Sequence, residues 1–336
     1  MNAPKKLGRQ SLGFANPPYI LTSATVVGPK EGAGPLGKTF DLVAEDLYFG
    51  CQSWEKAERK FLEEAVYLAL NKLAMTSDQV DFLLAGDLLN QTISANFAAG
   101  KLGIPFLGLY GACSTMYEGM ALASMLIDGG FAQNVIAAVS SHYASAERQY
   151  RFPTEQGVQR PPSAQWTATG GAAFMLAAQG QGPRVTQITI GKVVDMGIKD
   201  PADMGSAMAP AAVDTMVRHF QDTGTSPASY DLIVTGDLGR IGKELAIRLA
   251  AEKGYDLKPV YDDCGVMLYA PEQDVHAGGS GCACSAVVTG GEILSRLIKG
   301  ELKRVLGVGT GALLSPVSSQ QGESIPCIGH AVVLEA

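Results

Sequence analysis

Asp81-Phe82-Leu83-Leu84-Ala85-Gly86-Asp87-Leu88 and Asp231-Leu232-Ile233-Val234-Thr235-Gly236-Asp237-Leu238 are two renderings of one pattern, 150 positions apart. In each, a short apolar run ends on Gly-Asp-Leu. A run without polar alternation is what a strand covered on both faces requires. A helical pattern precedes each copy. Leu62, Ala65, Val66, Ala69 and Leu73 share one face at helical spacing, and so do Val213, Met216, Val217 and Phe220.

The echo continues downstream. Gly111-Ala112-Cys113-Ser114 opens a helix expected to end near Ile127-Asp128-Gly129-Gly130, and Cys282-Ala283-Cys284-Ser285 opens one expected to end near Ile298-Lys299-Gly300-Glu301. Cys284 lies 171 positions after Cys113, so roughly twenty extra residues precede the second helix. Strands over Asn134–Val139 and Arg304–Val308 follow. Each half therefore reads helix, strand, helix, strand. The expected fold is α/β: two duplicated halves, residues 1–180 and 181–336, related by a pseudo-twofold axis, with the two equivalent helices buried at the centre. Gly111, Ala112, Gly119, Ala121 and Ala123 in one helix, and Ala283, Ala286, Gly290 and Gly291 in the other, permit their close approach. A repeat of this length is too long for a solenoid.

Bulk properties narrow the function. The 336 residues are 46% apolar and 18% charged, a globular composition. The net charge of −7 argues against nucleic acid as a partner. Runs of about 18 uncharged apolar residues are absent from the sequence, so no membrane span is expected. Met1-Asn2-Ala3-Pro4-Lys5-Lys6-Leu7-Gly8-Arg9 is basic without an apolar signal core, which points to a cytoplasmic location. The six cysteines are then expected as thiols. Cys282-Ala283-Cys284 lacks a second close pair, and His142, His219, His276 and His330 are scattered, so no structural metal is expected. Gly307-Val308-Gly309-Thr310-Gly311 lacks a following lysine and helix start, which argues against nucleotide binding.

Cys113 is the candidate for chemistry. Unpaired amide N–H groups at a helix start favour a thiolate and can lower its pKa. The alternative is that Cys113 is a small buried hydrophobe. Cys284, its counterpart in the second half, is read as core packing.

Duplication, a cysteine at a central helix start, His276-Ala277-Gly278-Gly279-Ser280-Gly281 and a late glycine-rich strand resemble the thiolase and ketoacyl-synthase superfamily across nearly the whole chain. More narrowly, Ser140–Pro153, Gln159–Trp166, His276–Cys282, Gly307–Pro316 and Glu323–Ala331 resemble the stage V sporulation protein AD family. The resemblance implies a thiolase-like fold and a homodimer. It also implies binding of dipicolinate (pyridine-2,6-dicarboxylate) for uptake into developing spores, with membrane-embedded sporulation partners and a location in the cytoplasm or on the inner spore membrane.

By the same resemblance Cys113 matches the nucleophile, and His276 the loop that carries a catalytic histidine in thiolases or an asparagine in related synthases. Gly309 and Gly311 match a segment that presents backbone N–H groups beside the thiol. Two departures stand out. Many synthases place a histidine after the strand Leu232-Ile233-Val234, where this chain has Asp237, and the late strand lacks the second cysteine of thiolases. A carboxylate near Cys113 opposes thiolate formation. The expectation is therefore a pocket that binds more than it reacts, with acyl transfer through Cys113 and His276 as the alternative.

A flat aromatic dianion needs donors or cations at both ends and apolar walls for its ring. Candidate ligand residues are Cys113 and Ser114, then His142, Arg148 and Arg151 (with Arg160 and nearby aromatics), then Asp237, His276, Gly309 and Gly311. No cofactor is expected beyond Ca²⁺ carried by the ligand, with Asp237 as the bridging oxygen donor. The other reading of Asp237 is a turn or helix cap.

Overall fold

A computed structural model describes residues 5–150 and 160–336. The first half supplies strands β1 (Tyr19–Val27), β2 (Phe82–Gly86), β3 (Phe106–Gly108), β4 (Asn134–Ser141) and β5 (Gly170–Ala177). The second supplies β6 (Arg184–Thr189), β7 (Leu232–Thr235), β8 (Tyr261–Asp263), β9 (Arg304–Ala312) and β10 (Cys327–Glu335). Together they run in the order β8-β7-β9-β10-β6-β1-β5-β4-β2-β3. Counted within its own half, each set has the same order, third-second-fourth-fifth-first, read from opposite edges. The halves meet at the pairing of Tyr19 with Arg184. In both, the second, third and fourth strands are parallel and the fifth is antiparallel to the fourth.

The principal helices are α1 (Trp54–Lys72), α2 (Ile93–Leu102), α3 (Thr115–Asp128), α4 (Tyr143–Tyr150), α5 (Met204–Thr223), α6 (Gly239–Glu252) and α7 (Cys282–Val288). Ser53 caps α1 by accepting from the Lys56 N–H. Its buried face, Phe61, Leu62, Ala65, Val66 and Ala69, packs on β1 and β5, while Met208, Ala212, Met216 and Phe220 place α5 on β9 and β10. Of the residues anticipated from helical spacing, Leu62, Ala65, Val66, Ala69, Val213, Met216 and Phe220 are buried, while Leu73, just past the helix, and Val217 are half-buried.

The inner layer is α3 and α7. Helix α3 touches β2, β4 and β5 of its own half and β9 and β10 of the other. Tyr117 on α3 is fully buried, and its hydroxyl lies 2.9 Å from Thr289 Oγ1 at the end of α7. Beyond Val288 the helix widens into a π turn over Thr289–Ile293. Gly290 lets it lie against β1, where an added Cβ would sit 2.9 Å from Thr25 Cγ2, and Ser23 Oγ donates to the Gly290 carbonyl.

Close approach explains the glycines of β9. A Cβ at Gly307 or Gly309 would enter the Tyr117 ring at 2.4 or 2.7 Å. One at Gly311 would lie 2.1 Å from the Gly111 carbonyl oxygen. We expect Gly311→Ala to destabilise the fold by about 1–3 kcal/mol, as overpacking against backbone does. Gly100→Ala, in α2 with open space around it, should stabilise by about 0.5–1 kcal/mol. Denaturant midpoints of the two variants check the contrast.

Candidate functional site

The turn that carries Cys113 is held from several directions. Ala112, Cys113 and Ser114 form one tight 3₁₀ turn leading into α3. Ala112 has φ 49°, a left-handed conformation that a residue with a Cβ rarely adopts. Ser114 Oγ donates to the Gly111 carbonyl at 2.7 Å and Thr115 Oγ1 to the Ala112 carbonyl at 2.6 Å. From α7, the Cys282 thiol donates to the same Ala112 carbonyl at 3.2 Å. Such strain persists where surrounding contacts over-determine the backbone. The result is a thiol only 6% exposed, with Sγ 4.0 Å from Ser280 Oγ.

Behind the thiol sits Asp237, 1% exposed. Its Oδ1 accepts from Thr310 Oγ1 at 2.8 Å, and its Oδ2 from Ser280 Oγ and the Gly281 N–H, both at 3.2 Å. Burial pushes the Asp237 carboxyl above its ordinary range, and its hydrogen-bond donors oppose the shift by stabilising the anion. For Cys113, burial is the largest cause, followed by the charge of the nearby Asp237; both push the thiol well above its usual value. The thiol is thus protonated at neutral pH. The lowering expected from a helix start is overridden, because desolvation and a like charge both disfavour the thiolate.

The duplicated Gly-Asp has diverged. Asp87 accepts from the Leu89 and Ala95 N–H groups at 2.7 Å each and so caps α2. In the second half the amides of Leu238 and Gly239 are met instead by Asp263, at 2.8 and 2.9 Å. Asp237 is thereby released from capping and turned toward Cys113. The helix-cap alternative for Asp237 is not what the structure shows: that role falls to its counterpart Asp87, and Asp237 bonds Thr310, Ser280 and Gly281.

The other candidates lie as follows. His276 is partly exposed and places Nε2 3.8 Å from Asp274 Oδ1, and it is not in the lining of the pocket at Cys113. Its carbonyl accepts from Arg240. The residue that this loop delivers to the thiol is Ser280, because Gly279 and Ser280 pair with Trp166 and Thr167 as a short parallel bridge that aims Ser280 inward. His142 is fully buried: Nδ1 accepts from the Ala144 N–H at 3.2 Å, so Nε2 carries the proton and donates to the Leu47 carbonyl at 2.7 Å. Burial lowers its pKa.

Arg148 binds Glu55 at 3.2 Å and lies over the Trp54 ring. Arg160 lies over Trp166 and donates to the Gln165 and Asp274 carbonyls. Arg151 falls outside the described residues. Gly309 and Gly311 are paired within β9 and β10, opposite His330 and Ile328, where their missing Cβ admits α3. Ser114 turns its hydroxyl back into its own turn.

A small cavity of about 40 Å³ lies above Cys113. Leu88, Ala112, Ala312 and Leu314 give it apolar walls, and Tyr110, Tyr150, Thr167 and Ser280 line it with hydroxyl-bearing side chains. Among its described lining residues none is cationic. Tyr110 and Thr167 lie within or beside segments that stood out in the sequence, but only the folded chain shows that they share a cavity with Cys113. Ser280 had a signal, its place two residues before the second helix start.

With this geometry in view, the comparisons with known proteins agree. The family model for stage V sporulation protein AD matches residues 8–335. The chain belongs to the stage V sporulation protein AD family. It is 50% identical, over 331 residues, to the stage V sporulation protein AD of Bacillus subtilis (strain 168), covering 98% of both chains. Among solved structures it is similar to 3-oxoacyl-[acyl-carrier-protein] synthase III from Aquifex aeolicus, with a TM-score of 0.59, 13% identity, and coverage of 95% of this chain and 100% of that one. It is also similar to OleA from Xanthomonas campestris, determined with bound cerulenin, with a TM-score of 0.60, 16% identity, and coverage of 96% and 98%. At such identities the likeness shows the fold, which is thiolase-like.

The site makes a prediction. Asp237→Asn removes the charge that faces the thiol, so the pH midpoint of Cys113 alkylation by iodoacetamide should fall by about one unit. His276→Ala should leave the midpoint in place. Peptide mass spectrometry of Cys113 across a pH series checks both.

Proposed function

We propose that this member of the sporulation family binds dipicolinate, for its movement into developing spores, and does not catalyse condensation. The observation that carries the reading is Asp237 seated at Cys113. A condensing nucleophile has to be a thiolate with proton-handling partners beside it. Here burial and a carboxylate keep the thiol neutral, and the loop expected to supply an imidazole supplies the Ser280 hydroxyl instead.

The chemistry of the pocket suits a small flat ring. Its free volume, about 40 Å³, is below the usual range for small-molecule sites, so a bound ring requires its walls to part. Apolar walls suit the two faces of a pyridine ring, and tyrosine, serine and threonine hydroxyls suit carboxylate oxygens. Both Asp237 oxygens already accept protein donors. The free dianion is therefore the proposed ligand; a calcium chelate held through Asp237 would compete with those bonds. No helix of the described residues is long and apolar enough to cross a membrane. The reading includes membrane-embedded sporulation partners and a location in the cytoplasm or peripherally on the inner spore membrane. The outermost strand β3, with Leu107 half exposed, is the edge on which a homodimer would pair.

One observation favours the rival reading of an acyl-transfer enzyme: the described lining is uncharged and largely apolar, which suits an acyl chain. The tests separate the two. Titration calorimetry should show saturable, one-to-one dipicolinate binding, with benzoate binding at least tenfold more weakly for want of a second carboxylate. Absence of heat and of competition at high ligand concentration overturns the proposal. A panel of acyl-CoA thioesters should leave the intact mass unchanged. A stable adduct that vanishes in Cys113→Ala establishes the rival.

A further inference from the structure

We propose that a groove on the outer face of α6 is a binding site for a small elongated dicarboxylate, a molecule with a carboxylate at each end of an apolar body. The groove has a free volume of about 280 Å³, against about 40 Å³ above Cys113. It lies where the starts of α5 and α6 meet. A Cβ on Gly242 would fall 2.6 Å from the Gly205 carbonyl oxygen, so glycine is what allows the two helices this approach. Ser206 closes the groove from α5, and Arg240, Ile241, Glu244, Leu245 and Arg248 line it from α6.

Helical spacing sorts these side chains. Ile241 and Leu245 are one turn apart and give an apolar floor. Arg240 and Arg248 are eight residues apart, so their backbones stand about 12 Å from each other along the axis. A guanidinium therefore brackets the floor at either end, and each offers paired N–H donors that match a carboxylate. Arg240 is held in place: its Nη2 donates to the His276 carbonyl, and its backbone N–H donates to the Ala277 carbonyl at 2.7 Å. His276 supports this contact from a left-handed backbone, φ 53°. The loop that the sequence marked for catalysis thus orients a cation of the outer groove.

Among the described residues no carboxylate pairs with Arg240. Arg248 has Glu244, at 4.0 Å with both side chains largely exposed, a contact worth little in water. Glu244 stands four residues from each arginine and is the one group in the lining that opposes an anion. A ligand with two negative ends reaches past it to both guanidinium groups, whereas a single carboxylate gains one and meets the same repulsion.

The site is argued from its own residues, and its test does not depend on what enters the pocket at Cys113. The probe is benzene-1,4-dicarboxylate, whose carboxylates point in opposite directions. Phenylglyoxal modifies free guanidinium groups, and peptide mass spectrometry after reaction of the folded full chain reads each arginine separately. At constant ionic strength the probe should slow modification of Arg240 and Arg248 about threefold or more. Arg218, which pairs with Asp222 outside the groove, should react at an unchanged rate. Benzene-1,2-dicarboxylate, with adjacent carboxylates, and benzoate should protect less. Arg248→Gln should raise the probe concentration that half-protects Arg240 about two- to fivefold, and Arg240→Gln should do the same for Arg248. Glu244→Gln should lower it about twofold for both. These positions are exposed, and such surface changes leave the fold intact.

Absence of protection at high probe concentration overturns the site. Equal slowing at Arg218, or equal protection by chloride, overturns it as a bulk ion effect. Benzoate acting as well as the 1,4-dicarboxylate overturns the two-ended geometry, and so does a Glu244→Gln variant with unchanged or weaker protection.

Discussion

Nothing larger than a hydrogen atom fits between β9 and the turn that carries Cys113. Gly311 faces the Gly111 carbonyl, and Gly307 and Gly309 face the Tyr117 ring. This approach brings a strand of the second half against a helix start of the first. It seats Tyr117 so that its hydroxyl meets Thr289 on the other central helix. It also carries Thr310, between two of these glycines, to the carboxylate of Asp237. Fold and site are therefore one packing problem. A side chain on any of the three glycines would move the helix start, the thiol and the carboxylate together.

The chemistry of the pocket follows from what surrounds that contact. Thiol and carboxylate are both buried, and each makes the other's charge more costly. The carboxylate has hydroxyl and amide donors to stabilise it, and among the described residues lining the pocket none gives the thiol a cation. Protonated sulfur beside a bonded carboxylate is the arrangement with the least unpaired charge. The fold is thiolase-like, and burial with the Asp237 charge holds the Cys113 thiol neutral. The strained Ala112 backbone fits the same picture: the turn remains fixed by Ser114, Thr115 and Cys282, which hold a well-defined pocket floor whether or not the sulfur reacts.

Divergence between the repeats made this possible. In the first half Asp87 caps a helix. In the second, Asp263 takes over the amides at Leu238 and Gly239, and the repeated aspartate is left to bond side chains from β9 and the Ser280 loop. A duplicated strand end thus supplies two different functions from one Gly-Asp pair.

The sequence by itself determined the α/β class, the internal repeat, the central position of the two small-residue helices and the family, because periodicity and repeated strings are local properties that survive in one dimension. It also singled out Cys113 and the conflict posed by Asp237. Only the tertiary structure decided which side chains meet. It gave the thiol Ser280 in place of His276, turned His142 into a buried strut bonded to backbone, set Arg148 against Trp54 and Glu55 and Arg160 against Trp166 and two backbone carbonyls, and brought Tyr110 and Tyr150 into the wall of one pocket. Those outcomes depend on the direction of single side chains at loop ends and on burial, which sets the pKa. Neither is encoded by spacing, since one residue's shift along a turn swings a side chain from cavity to solvent.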